Sequence, residues 1–348
     1  MDTIRPKKIV TRRTTHPDTN EVINSAEIGK LWATYMGNSM SKYVLRYFLQ
    51  HVDDEEIKKV LENALNLSED FLKTIEEILV NDQHPIPFGF TEGDVNLDAP
   101  RLFSDEFYLH YLKYAGKAGL SLYAIAVPLM ARVDIRDFFT YVIEATVTLG
   151  NQINDLLITK GFLSKPPNIP IQDKVDFVKK QSYLTGFLGN VRSLHALEIA
   201  HLYDNIENNT TSKALLIGFG QVAKSEKLRK YLWKGKDMTA NHIELCSQKL
   251  TKEDLPSSPL LDTLVTTSTF SPFSDKLMLF HKVDMFSIRI SAYGNSMAVN
   301  GRHDIGAMYG KFLLEVGLYV NEGAQLMIDN GWFEQPPKAA DRNDIGTT

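Results

Sequence analysis

The chain has 348 residues, 43% hydrophobic and 23% charged, the balance of a water-exposed globular protein long enough for about two domains. A net charge of −5 and an isoelectric point near 6.0 exclude a dedicated nucleic-acid binder, whose affinity would come from clustered Lys and Arg. The single cysteine, Cys246, excludes an intramolecular disulfide and any cysteine-rich metal site.

Residues 1–22 carry Arg5, Lys7, Lys8, Arg12 and Arg13 without the apolar run of a signal peptide. They read as a solvated basic arm, and secretion by a signal peptide is not expected. A unit of four helices is expected over 23–168. Its first helix contains "AEIGKLW" (26–32) and, at its middle, "MGNSMSK" (36–42). Gly, Asn and Ser are weak helix formers, so this stretch predicts a close helix crossing, with a kink or a polar pocket as alternatives. In the second helix Ile57, Leu61, Ala64, Leu65, Phe71, Leu72, Ile75 and Leu79 recur at three and four, forming one apolar stripe. The segment from Gln83 to Leu102 is rich in Pro and Gly and long enough to recross a helix of ~25 residues, ~37 Å. That is the connection of a ferritin-like bundle; a simple up-down bundle with a decorative loop is the alternative.

Ser104 is placed to cap the third helix, with Phe103 packing on Tyr108 as a staple. Its apolar stretch, residues 119–131, is interrupted by Pro128 and shorter than the ~20 residues of a membrane span, so no span is expected. Arg132 is expected to end this helix and Asp134 to begin the fourth, which Gly161 stops and Pro166-Pro167 keeps from resuming. Residues 169–190 alternate apolar and polar positions at helical spacing, which predicts an ordered connector between packed bundles.

A second bundle is expected over 191–338, before a tail at 339–348, because the chain repeats itself. "GFLSKPP" (161–167) returns as "GWFEQPP" (331–337), and Phe103/Phe273, Ser104/Ser274, Asp105/Asp275, Tyr123/Tyr293, Arg132/Arg302 and Asp134/Asp304 match at an offset of 170. The first helices match at 171, with Glu27 over Glu198 and Asn38 over Asn209. The fold class is all-α, two tandem ferritin-like four-helix bundles from an internal duplication.

Chemistry is less legible. Ferritin-like bundles hold metal pairs with Glu and Glu-x-x-His ligands, since a three-residue spacing puts both on one helix face. "EIAH" supplies Glu198 and His201 as candidate metal ligands, for iron, manganese or zinc, with His195, His242, Glu244, His303 and Asp304 as companions. The competing reading has Glu198 and His201 flanking the core and meeting water or an Arg, and unit one offers Lys30 where His201 stands. Hydrolase and nucleotide motifs are missing: no Gly-x-Ser-x-Gly, Walker A or His-Glu-x-x-His occurs. No catalytic residue is assigned. The 10 Met and many aromatic residues leave a third reading, an apolar ligand held inside a bundle.

The pieces "LFSDEF", "DFVKKQSYLTGF", "GFGQVA", "FSDKL" and "GWFEQPPKA" resemble a family of tandem-bundle proteins of endospore-forming bacteria, labelled spore coat protein F-like. The resemblance runs from about Glu27 to Pro337. It implies a doubled ferritin-like bundle, a place in the cytoplasm or the forming spore, and no established activity. The expected function is a non-enzymatic structural or interaction protein with protein partners or self-association; a metal-binding ferritin-like protein is the alternative.

Overall fold

A computed structural model describes residues 21–188, 191–340 and 342, so most of the basic arm and the end of the tail lie outside the described residues. Among the described residues eight α-helices carry the fold: α1 (Ser25–His51), α2 (Glu55–Asn81), α3 (Asp105–Ala126), α4 (Val133–Thr159), α5 (Ala196–Val222), α6 (Glu226–Thr251), α7 (Asp275–Val299) and α8 (His303–Asp329). Five of them start where a side chain satisfies free N–H groups. Asn24, Asp54, His195, Ser225 and Ser274 accept from the first turns of α1, α2, α5, α6 and α7. Gly161 and Gly331 end α4 and α8 with φ of 72° and 68°, letting Phe162 and Trp332 bond back to Leu157 and Met327 at 2.9 Å.

Contacts between helix ends define the connectivity. The Asp105 carboxylate at the start of α3 accepts from the backbone N–H of Asp53 (3.1 Å) and Asp54 (2.8 Å), where α1 turns into α2. Helices α2 and α3 therefore start at one end and run parallel, and the segment between them travels the length of the bundle. At the other end Glu27 of α1 accepts from Ala131 N–H (2.9 Å) and Arg132 N–H (2.8 Å), before α4. Unit two repeats both ties: Asp275 accepts from Lys224 (3.0 Å) and Ser225 (2.8 Å), and Glu198 from Gly301 (3.0 Å). Each unit is thus an up-down-down-up bundle with one long crossover, not an up-down bundle with a decorative loop.

The two crossovers pair with each other. Val95 bridges Phe273 and Phe103 bridges Val265, both antiparallel. Ser104 N–H bonds Leu264 O and Ser274 N–H bonds Asp94 O, each at 2.9 Å, while Thr266 reaches Leu102 (2.9 Å) and Asn96 reaches Pro272 (2.7 Å). Each contact has its mate 170 residues away with the partners exchanged, the signature of a twofold, self-complementary interface. The helix terminators cross over too: Ser164 bonds Tyr203 of α5, and Glu334 accepts from Phe88 and Gly89 N–H, both 3.0 Å, in the first crossover. One buried apolar cluster runs through both units, from Met36 and Phe48 to Phe312 and Met327, and a second fills the far end of unit one.

Four local expectations change. Ser104 makes no side-chain cap and its hydroxyl is buried without a partner, whereas Ser274 caps Leu277 and donates to Asp94 (2.6 Å). Phe103 stacks on Phe107 (4.3 Å) and leaves Tyr108 to Phe48 (4.3 Å), because Phe103 also faces Phe219 of the other unit. The third helices end at Ala126 and Val299, so Arg132 and Arg302 become the N-cap residues of α4 and α8. Among the described residues of the connector no α-helix forms: 181–184 make a 3-10 turn, and Ile171 and Val175 are exposed, with no apolar face to receive a helical stripe.

Candidate functional site

Glu198 and His201, one turn apart on α5, serve different neighbours. Glu198 is the third residue of α5, buried, and forms a capping box with His195. Its two oxygens accept from the Arg192 guanidinium at 2.7 and 2.8 Å, from His195 N–H at 3.1 Å and from Gly301 N–H at 3.0 Å. Burial would raise its pKa, but those donors hold the carboxyl below its ordinary value. His201 instead meets Ser296 through Nδ1 at 3.3 Å.

The other companions are similarly engaged. Asp304 is held well below the carboxylate range, at about 2, because Arg302 and Lys249 outweigh its burial. His195 caps α5, Glu244 pairs with Gln248 on the surface of α6, and His303 is the exposed first residue of α8. The helix ends do come together as the topology requires, with Arg302 reaching Glu253 (3.4 Å) and the Arg192 carbonyl (3.2 Å), yet they assemble through ion pairs and hydrogen bonds. Among the described residues no group of three or more His, Cys, Asp or Glu is placed to hold a metal ion.

The mid-helix polar stretches work as close crossings. Ser39 Oγ accepts from Phe90 N–H (2.9 Å) as the crossover passes over unbroken α1. There Gly89 has φ of 59°, and a Cβ on it would stand 2.5 Å from that hydroxyl. Asn38 and its counterpart Asn209 donate inward to Tyr123 (3.4 Å) and Tyr293 (2.9 Å). In unit two this grows into a buried chain. Tyr293 meets His242 Nδ1 (3.0 Å), and His242 Nε2 meets Glu315 (2.9 Å). Burial pushes His242 down to about 4, so the imidazole is neutral at pH 7, a donor to Glu315 and an acceptor from Tyr293.

Sequence reading passes over the groups on α7 where the units meet. His281 and Tyr111, equivalent positions in the repeat, face each other with Nε2 3.0 Å from the hydroxyl. Lys282 is fully buried and donates to Ser212 (2.7 Å); Leu112 holds the equivalent place in α3. Arg289 is buried where α3 has Gly119, bonding Tyr114 (3.2 Å). The available signal is "HKVD" (281–284) laid over "YLKY" (111–114), which puts charge at places that are apolar or aromatic in unit one. Cys246, buried and pushed up to about 12 by that burial, is no nucleophile.

Lys282 is a testable cost. Burial lowers its pKa well below 10.5, so the unfolded chain binds a proton that the folded chain does not. Stability should rise with pH from 7 toward 9 and be lower at neutrality than it would be without this amine. Lys282→Leu is expected to add about 1–3 kcal/mol at pH 7 and to flatten that rise, as read from urea midpoints at pH 7 and 9.

No curated protein matches this chain. A crystallised protein from Bacillus halodurans C-125, named as a candidate spore coat protein, is similar at 21% identity and a TM-score of 0.39, covering 43% of this chain and 98% of its own. The model of a family described as protein of unknown function (DUF3231) matches twice, at residues 14–175 and 182–345, once on each bundle. With both halves of the repeat matched and nearly the whole chain covered, the protein belongs to the DUF3231 family.

Proposed function

We propose that the chain is a non-enzymatic structural or interaction protein resembling spore coat proteins, in which two ferritin-like bundles act as one building block. The observation that supports this most is the exchanged ladder between the crossovers, which joins the units through backbone bonds and a shared core. Exposed apolar side chains remain for partners, including Leu314 and Leu318 one turn apart on α8, 66% and 64% exposed. Among the described residues no helix is long and apolar enough to cross a membrane. The place proposed is the cytoplasm or the forming spore.

Fractionation of the encoding organism tests it. A tagged copy should accumulate during sporulation and be recovered with the spore layers; expression confined to vegetative growth, with none in spores, would overturn the reading. The metal-binding alternative at Glu198 and His201 requires Glu198 to release Arg192. Near-stoichiometric iron, manganese or zinc in untagged protein, lost in a Glu198→Ala, His201→Ala double variant, would put that alternative first.

A further inference from the structure

A cavity of about 390 Å³ lies between α3 of unit one and α5 and α7 of unit two, with exposed Ser121 and Asn295 at its rim. Its size falls in the range of small-molecule sites, ~300–1,000 Å³. Arg289, only 4% exposed, forms part of its wall. The face of its guanidinium lies over the Phe286 ring at 4.3 Å, and its five N–H donors find only hydroxyl acceptors: Tyr114 at 3.2 Å, Thr239 at 3.5 Å, and Tyr293 nearby. The Nε–H has no acceptor, and among the described residues no carboxylate pairs with Arg289. The nearby carboxylates Asp204 and Glu207 are already engaged by Lys117, and Glu207 by Lys113 as well, so neither supplies the missing anion.

A buried charge without a counter-ion is costly, and packing does not require this one. The equivalent cavity on the other side of the pseudo-twofold, about 130 Å³ between α1, α3 and α7, has Gly119 at the place of Arg289. There Tyr123 closes on the glycine, 2.9 Å from where a Cβ would stand. The fold therefore tolerates an uncharged residue at this position, and the larger, charged cavity is the specialised one. The α3 and α7 side of the wall carries an apolar strip, formed by Ala118, Met285, Ile288 and Ala292, and the α5 side is polar, lined by His201, Asp204, Asn205, Asn208 and Asn209.

We propose that this cavity binds a small organic monocarboxylate, its carboxylate paired with Arg289 and its apolar body lying along Ala118, Met285, Ile288 and Ala292. A carboxylate on a guanidinium forms two charge-assisted hydrogen bonds, the acceptors Arg289 lacks. An inorganic anion would leave the apolar strip uncovered, and a neutral alkyl chain would leave the guanidinium unmatched.

Calorimetric titration of the full chain with octanoate tests this, with octanol and inorganic phosphate as controls. Octanoate is expected to saturate at one per chain and to bind at least tenfold tighter than either control. Arg289→Gln should weaken octanoate at least tenfold, and Ala292→Trp, which fills the cavity and leaves Arg289 in place, should abolish binding. No heat up to about 10 mM octanoate, equal binding of octanol or phosphate, or wild-type binding by Arg289→Gln would each overturn the proposal. If Arg289→Gln fails to fold, undiminished binding by Ala292→Trp overturns it instead.

Discussion

Lowering the pH from 7 to 5 should cost the fold about 4 kcal/mol, an effect carried by three buried histidines. Burial pushes His281 down to about 3 and His110 and His242 to about 4, against an ordinary value of 6.5. Since these folded-state values lie below the unfolded one, the unfolded chain binds the extra protons. Stability is then greatest above 6.5 and falls as the pH drops from 6.5 toward 4. Between pH 7 and pH 5 each histidine accounts for about 1.8 kcal/mol, at about 1.4 kcal/mol per pH unit below 6.5. Asp284, pushed up to about 6 by burial, has the opposite sign: its folded carboxyl takes a proton first and returns about 1 kcal/mol over the same interval. The paired carboxylates Glu198, Glu207 and Asp304 are lowered from 4.5, 4.5 and 3.8, so their loss comes mostly below pH 5. Urea unfolding at pH 7 and pH 5 reads the difference, and His281→Gln isolates one term. An amide can hold the Tyr111 hydroxyl as the imidazole does at 3.0 Å, without titrating. The variant should lose about 2 kcal/mol of the acid sensitivity; a pH dependence equal to wild type would show that His281 is not part of it.

The duplication and the helices are legible because they rest on local spacing. The stripe from Ile57 to Leu79 predicts its helix, and the terminators at Gly161 and Gly331 lie where the chain needs a positive φ. Crossover length also carries its topology, since Asp105 and Asp275 begin their helices where α2 and α6 begin. The facing of the two units leaves no such trace. That Val95 meets Phe273 depends on which bundle surfaces pair, and periodicity within one unit is silent on this. Ser104 differs from Ser274 for the same reason: across the interface Ser274 meets the Asp94 carboxylate, which accepts its hydroxyl, whereas Ser104 meets Leu264, a difference without a local signature. The connector has helical spacing but no surface to bury it against, so spacing alone predicts too much there. Glu198 has the sequence spacing of a ligand, yet its partner Arg192 lies six residues earlier, beyond any Glu-x-x-His pattern. Arg289 escapes notice because a lone Arg on a helix is ordinarily a solvated one; only the glycine at the same place in the other unit marks it.

Truncating the aromatic pair at the pseudo-twofold should both destabilise the chain and let its halves part. Phe103 is fully buried, stacked on Phe107 at 4.3 Å and edge-on to Phe219 across the interface at 6.5 Å. No room exists for adjustment on the facing helix, where a Cβ at Gly218 would fall 2.6 Å from the Phe103 ring. Phe273 packs reciprocally on Tyr47 of unit one at 5.1 Å and on Phe219 at 5.9 Å. Phe103→Ala and Phe273→Ala are each expected to cost about 3–5 kcal/mol. Both rings sit on one ladder and share Phe219, so the double variant should depart from additivity by at least about 0.5 kcal/mol. A protease site introduced among the exposed residues 171–178 separates covalent from packing contributions. The nicked wild type should still elute as one particle of 39.4 kDa, held by the ladder and bridge residues of the two crossovers and the common core. In the nicked double variant, whose interface has lost two rings, the units should separate. Separation of the nicked wild type would mean that the ladder does not hold the units and that only the connector does. A double variant that loses less than about 1 kcal/mol would place the binding between units elsewhere, on the ion pairs from Lys113 and Lys117 to Glu207.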